Sequence, residues 1–102
     1  MTLPHLPISI EPNVLADLCR RHHVRELALF GSVLRADFNA DSDVDMLVTL
    51  EPGTRMGLIA FGRLREELEA LVGRPVDLVP KDGLNRHIRD AVLASAVVLH
   101  AA

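Results

Sequence analysis

The segment from Phe30 to Leu50 reads FGSVLRADFNADSDVDMLVTL, and its second half constrains the fold more than any other part of the chain. Asp43-Val44-Asp45 opens a run in which Val44, Met46 and Val48 recur at every second position. Successive side chains of a β-strand point to opposite faces. This spacing therefore predicts a strand over Asp43–Leu50, with the three apolar residues packed and the two carboxylates together on the other face. Carboxylates side by side need a cation. Their oxygens suit a hard ion such as Mg²⁺, which keeps several waters and binds one or two carboxylates together with substrate phosphates. The Gly31-Ser32 turn, a dozen residues earlier, offers backbone N–H groups and a hydroxyl to such phosphates.

Around this segment the pattern alternates. Pro12 suits the first position of a helix, and Val14, Leu15, Leu18 and Cys19 form an apolar stripe that ends in Arg20-Arg21-His22-His23. Val24–Phe30 is short and apolar and predicts a strand leading into Gly31, with Val33–Asp41 as a loop holding at most one helical turn. Glu51-Pro52-Gly53 stops the second strand. Thr54 then reads as the N-cap of a helix whose apolar face is Leu58, Phe61, Leu64, Leu68, Leu71 and Val72, stopped by Gly73-Arg74-Pro75. Gly57 and Gly62 weaken that helix by about 1 kcal/mol each relative to Ala. Val76–Val79 is a third strand, a last helix runs from about Leu84 to Ala94, and Ala96–Leu99 is expected to close as an edge strand. The expected class is α/β (α+β), a small mixed sheet with helices packed on it.

Asp77 lies inside the apolar run Val76–Val79. It is either a buried charge or a side chain aimed out of the sheet toward Asp43 and Asp45. An unpaired buried carboxylate costs several kcal/mol, roughly, so a cation partner is the economical explanation. Three carboxylates converging on metal make a two-metal arrangement, with ions about 3.5–4 Å apart that clamp the attacking and leaving oxygens at phosphorus.

Composition excludes several classes. A chain of 102 residues is expected to be a single domain, 1–102, too small for a catalytic module plus a separate recognition domain. Its net charge of −3, three Phe and lack of Trp and Tyr leave no basic stripe interleaved with aromatics. Stable binding to DNA or other long nucleic acid is not expected. Cys19 has no second cysteine to pair with, which fits a reducing compartment. With no signal-peptide pattern and no membrane-length apolar run, the expectation is a cytoplasmic protein away from membranes. Asp37 and Asp41 read as solvated loop acids that add to local negative charge, which predicts metal-dependent nucleotide binding. His22-His23 reads as a polar helix end rather than a ligand pair, His5, His87 and His100 as still weaker ligand candidates, and Cys19 as a small core residue.

GSxxR at Gly31, Ser32 and Arg35, SDxD at Ser42, Asp43 and Asp45, and VDLV with its lone Asp77 together resemble the minimal nucleotidyltransferases (MNT) of the polymerase-β-like superfamily. The resemblance runs from roughly Val14 to the C-terminus, with three separated elements in order. One departure is Ala36, where the family often has Gly, at a position where a tight φ > 0 turn would strain Ala. The resemblance implies a polymerase-β-like nucleotidyltransferase fold and a Mg²⁺-dependent enzyme using ATP and two ions. Asp43, Asp45 and Asp77 would be the catalytic metal ligands, Asp77 also helping to deprotonate the acceptor. Gly31 and Ser32 would hold the β- and γ-phosphates, and Arg35 would neutralise charge on pyrophosphate.

The acceptor is then expected to come from outside the chain. Free-standing MNT proteins of this size resemble the antitoxin halves of two-component systems whose partner is a helical HEPN toxin. The resemblance implies transfer of AMP from ATP to a hydroxyl of that toxin, typically a tyrosine. Two other readings remain open: a non-catalytic antitoxin that neutralises its partner by occlusion, and a nucleotidyltransferase acting on a small molecule. An apolar content of 49% also makes a homo- or hetero-oligomeric interface plausible.

Overall fold

The computed structural model describes residues 8–35, 38–39 and 41–102. Ala36, Asp37 and His5, singled out above, lie outside these. The elements, in chain order, are α1 (Pro12–Arg21), β1 (Val24–Phe30), a 3₁₀ turn (Gly31–Leu34), β2 (Val44–Leu50), α2 (Leu58–Val72), β3 (Val76–Pro80), a second 3₁₀ turn (Lys81–Gly83), α3 (Arg86–Ser95) and β4 (Val97–Ala101). The sheet order is β3-β2-β1-β4. β1 is antiparallel to both of its neighbours, while β2 and β3 are parallel and joined through α2. The mixed sheet expected from the alternating pattern is present, and β4 closes one edge as anticipated. β3 forms the other edge, where the terminal Pro80 leaves no central ladder bond unmade.

Alternation sorts the strands into two faces. Leu27 and Leu29 of β1, Val44, Met46 and Val48 of β2, Val76 and Leu78 of β3 and Leu99 of β4 join Leu15, Leu18 and Cys19 of α1 and Leu64 and Leu68 of α2 in one core. Ala28 and Leu47, paired across β1 and β2, are buried on the opposite face and stand outside that cluster. α3 rests against β1, and none of its residues is buried. One face of the sheet is thus sealed by α1 and α2, while the other is only partly covered.

The helix ends follow local chemistry. Glu11 caps α1 by accepting the Asn13 N–H at 2.9 Å, with Pro12 in the first turn and Arg20 and Arg21 in the last. Gly73 ends α2 in the left-handed region at φ 72°, its N–H donating to the Glu69 carbonyl at 2.8 Å. Thr54 does not cap α2. Its N–H donates to the Glu51 carbonyl at 3.1 Å, so it closes the turn through Pro52 and Gly53, and the helix begins only after Gly57. Leu58 stands 92% exposed rather than on the apolar face. Six residues ahead of Leu64, it is rotated about 120° away from it. Asn85 caps α3 by accepting the His87 N–H at 2.8 Å, which starts that helix two residues later than the periodicity suggests.

His22 and His23 meet carboxylates. His22 Nε2 pairs with Glu67 of α2, Arg21 reaches the same carboxylate at 3.0 Å, and His23 lies 3.4 Å from Glu51. The Glu67 contacts tie the end of α1 to α2, the His23 contact reaches the turn after β2, and all three fit the polar helix-end reading.

Candidate active site

The parallel pairing of β2 with β3 answers the question left open about Asp77. Asp45 and Asp77 are register partners, and Asp45 is also the partner of Phe30, the last residue of β1. Asp77 is exposed between buried Val76 and Leu78, so its carboxylate leaves the core on the face that carries Asp45. Asp43 is exposed immediately before β2. The three acids predicted from sequence therefore gather at one end of the sheet.

Gly31 closes over them from β1. Its φ of 72° lies in the left-handed region, and a Cβ built there would sit 2.3 Å from Asp45 Oδ2. No side chain fits between backbone and carboxylate. Ser32 follows: its backbone N–H donates toward Asp45 Oδ2 at 3.5 Å and its hydroxyl donates to the Asp43 carbonyl at 3.1 Å. Arg35 is exposed at the end of the 3₁₀ turn, held by its N–H to the Ser32 carbonyl at 3.0 Å.

Charge around Asp45 is out of balance. Burial pushes its carboxyl above the usual aspartate range, the Ser32 N–H opposes this, the charges of Asp77 and Asp43 push it further up, and Arg35 pulls it down. Among the described residues, no ion pair neutralises any of the three acids. Nor do three or more His, Cys, Asp or Glu side chains there form a finished metal cage. The donor set nonetheless fits a hard divalent cation: all ligating atoms are carboxylate oxygens, the central one is desolvated, and its neighbours repel it. Such an ion takes its remaining ligands from water and substrate phosphate.

Several supporting residues carry no signal in the local sequence pattern. Arg74, just before β3, donates to the Asn39 carbonyl at 2.8 Å and lies 4.7 Å over the Phe38 ring. Asn39 accepts the Asp41 N–H at 2.8 Å through its side chain, and its own N–H donates to Ser42 Oγ at 3.1 Å. This turn delivers the chain to Asp43. Glu69 of α2 accepts the Val76 N–H at 2.9 Å, and the Val44 N–H donates to the Pro75 carbonyl at 2.9 Å. Those two bonds fix the starts of β3 and β2 against each other, one residue from each strand acid. The Asn-Ala-Asp-Ser run hints at a turn, but Arg74 and Glu69 become visible only once the strands are paired.

Residues 12–99 match the family model for the nucleotidyltransferase domain. The chain belongs to the nucleotidyltransferase domain family. It is similar to the protein adenylyltransferase MntA of Thermococcus cleftensis, with 44% identity over 81 residues, covering 79% of this chain and 80% of the relative. The solved structure of a protein assigned as a minimal nucleotidyltransferase superposes with a TM-score of 0.69 at 38% identity, covering 84% of this chain and 86% of the other. The fold also matches, with a TM-score of 0.62 at 22% identity, a chain in the structure of a tri-AMPylated Shewanella oneidensis HEPN toxin in complex with its MNT antitoxin. That match covers 89% of this chain and 70% of the other. In this nucleotidyltransferase the Gly-Ser turn follows β1, and the DxD pair and the third acid lie at the starts of the neighbouring strands β2 and β3. Among the described residues, no helix is long and apolar enough to cross a membrane.

Proposed function

We propose that this nucleotidyltransferase, acting as one domain over residues 1–102, transfers AMP from ATP to a hydroxyl of a HEPN-type protein and thereby serves as that protein's antitoxin. The acceptor is a tyrosine, and the setting is the cytoplasm. One observation carries the reading: desolvated Asp45 lies between the Gly31-Ser32 turn and Asp77, so a phosphate donor and a hydroxyl acceptor have separate places on either side of it. The likeness to a protein adenylyltransferase and to an antitoxin bound to an AMPylated HEPN toxin supports the choice of nucleotide and partner.

In this mechanism the backbone N–H groups and hydroxyl of the Gly31-Ser32 turn hold the β- and γ-phosphates, and Arg35 neutralises charge that builds on the leaving pyrophosphate. Asp43, Asp45 and Asp77 would hold two Mg²⁺ ions, which supply electrostatic stabilisation of the attacking and leaving oxygens. Asp77, on the far side of Asp45 from Gly31, receives the acceptor and takes its hydroxyl proton. The acceptor oxygen bonds to the α-phosphorus as the bond to pyrophosphate breaks. Positioning and electrostatics do most of the work.

The test is label transfer from α-labelled ATP with Mg²⁺ to the protein that co-purifies from the native host, compared with an Asp43→Asn/Asp45→Asn variant. The expected outcome is label on the partner, lost in the variant. A stable complex that is never labelled, and whose partner stays neutralised by the variant, would replace catalysis with occlusion.

A further inference from the structure

Among the described residues, the two most exposed large apolar side chains stand next to each other at the start of α2, with Leu58 92% exposed and Ile59 76%. Single exposed apolar residues are ordinary, but these two adjoin a cavity of about 350 Å³. Met56, just before them, and Phe61, just after, both line it. Residues three apart on a helix are surface neighbours, so Leu58 stands beside Phe61 on the same side of α2. Leu50, Pro52 and Pro80 add further apolar lining, and Glu51, Lys81 and Asp82 supply its charges. The cavity lies where β2 and β3 end, whereas the three acids lie where those strands begin. From Asp45 to Leu50 the distance along β2 is roughly 17 Å.

We infer that this end of the molecule is a self-association surface, on which two copies of the chain meet about a two-fold axis with Leu58 of each seated in the cavity of the other. Any occupant has to account for the hollow and for the exposed Leu58 and Ile59 together. A small molecule in the hollow would leave both side chains in water. A partner that offers a hydroxyl to Asp77 works at the opposite end of the strands. A second copy covers both features, because a two-fold axis applies a patch to itself and brings its projection to its own hollow. The volume is at the lower end of the range for ligand clefts and ample for an aliphatic side chain. An apolar anchor in a pocket with charges around it is also the usual anatomy of an interface. Charge favours the same occupant. The chain carries −3, yet here the acids Glu51 and Asp82 are balanced by the bases Arg55 and Lys81. Among the described residues no ion pair engages Arg55, Lys81 or Asp82, so across a two-fold these groups pair base to acid. A face sharing the acidic excess of the whole chain would repel its own copy. Such a dimer leaves both acid clusters open and requires neither nucleotide nor acceptor.

The test is sedimentation equilibrium over a wide range of chain concentration, without nucleotide, on wild type, Leu58→Ser, Thr54→Trp and an equimolar mixture of the two variants. Leu58 is almost wholly in solvent, and Thr54, on the cavity wall, bonds to the Glu51 carbonyl through its backbone. Both substitutions should therefore keep the fold, which far-ultraviolet circular dichroism checks. The wild type should dimerise. Leu58→Ser removes the projection and Thr54→Trp fills the hollow, and each should weaken the dimer about tenfold or more. The mixture should associate more tightly than either variant alone, since one copy keeps its leucine and the other its cavity. A wild type that stays monomeric, a dimer that both variants keep, or a mixture no tighter than its components would overturn the inference. Loss of partner-protein binding in Leu58→Ser with self-association unchanged would overturn it too, and would assign the patch to that partner.

Discussion

Asp45 is the residue on which stability and function oppose each other. Its carboxylate is desolvated and repelled by Asp77 and Asp43, and the Ser32 N–H and Arg35 offset this only in part, so the protein without metal carries a charge that folding must tolerate. Asp45→Asn should therefore raise Tm in EDTA while abolishing AMP transfer, with scanning calorimetry and label transfer as the two readouts. A variant that is less stable in EDTA would mean that the Ser32 N–H, and not the repulsion, dominates at this position. Gly31 is constrained twice, by φ 72° and by the 2.3 Å separation of a would-be Cβ from Asp45 Oδ2. Gly31→Ala should cost about 1–2 kcal/mol from the left-handed conformation alone. It should also displace Asp45, so denaturant melts would register the first effect and loss of transfer the second. Cys19, in contrast, is an inert part of the core. It is fully buried, and burial pushes its thiol up to about 11. Iodoacetamide at pH 8 should leave it unmodified in the folded protein and label it readily once denaturant opens the core, and fast labelling without denaturant would show that α1 detaches locally.

Among the elements, the strands were the most legible. The alternation of Val44, Met46 and Val48 sets which face of β2 is packed, and the structure agrees residue by residue. Asp77 was half legible: its position inside an apolar run marked it as unusual, but whether it was buried or aimed at Asp45 depended on the register of β3, which no local pattern encodes. The start of α2 is not legible in the sequence because Thr54 has the chemistry of a cap, and only the turn bond to Glu51 shows that it is used elsewhere. Links between distant elements were invisible for the same reason, and the clamp between α1 and α2 is the clearest case. The paired His22 and the neighbouring Arg21 hold the Glu67 carboxyl below the usual glutamate range. A depressed folded-state value means that the stabilisation is fully present above the unfolded value of 4.5 and is lost as pH falls through the lower, folded one. The Glu67 side chain is 39% exposed, so solvent screening keeps the effect small. Wild-type Tm should fall more than that of Glu67→Gln as pH drops below about 4.5, and parallel curves for the two proteins would show that the clamp contributes nothing to stability.

At the scale of the whole molecule, electrostatics sets the conditions for binding. The chain has a net charge of −3, its three site acids converge on one sheet end, and ATP is itself strongly anionic. Arg35 and the Gly31-Ser32 amides offer less positive charge than the acids and phosphates together carry, so Coulomb repulsion opposes the complex until a divalent ion enters. The same balance argues against long nucleic acid as a ligand, since phosphate binding there scales with the number of basic contacts. ATP binding should accordingly be conditional on metal. At ATP concentrations of about 100 times Kd, linkage gives roughly 2.7 kcal/mol of added stability, which for a domain of this size moves Tm by roughly 10–20 °C. Thermal melts with ATP should show a shift of that order in Mg²⁺ and none in EDTA at the same ionic strength. An equal shift in EDTA would mean that the amide turn and Arg35 hold the phosphates without help, and the carboxylates would then need a role other than cation binding. A shift produced by Mg²⁺ without nucleotide would instead mean that the acids bind the ion before substrate arrives, turning the repulsion at Asp45 into a preformed site.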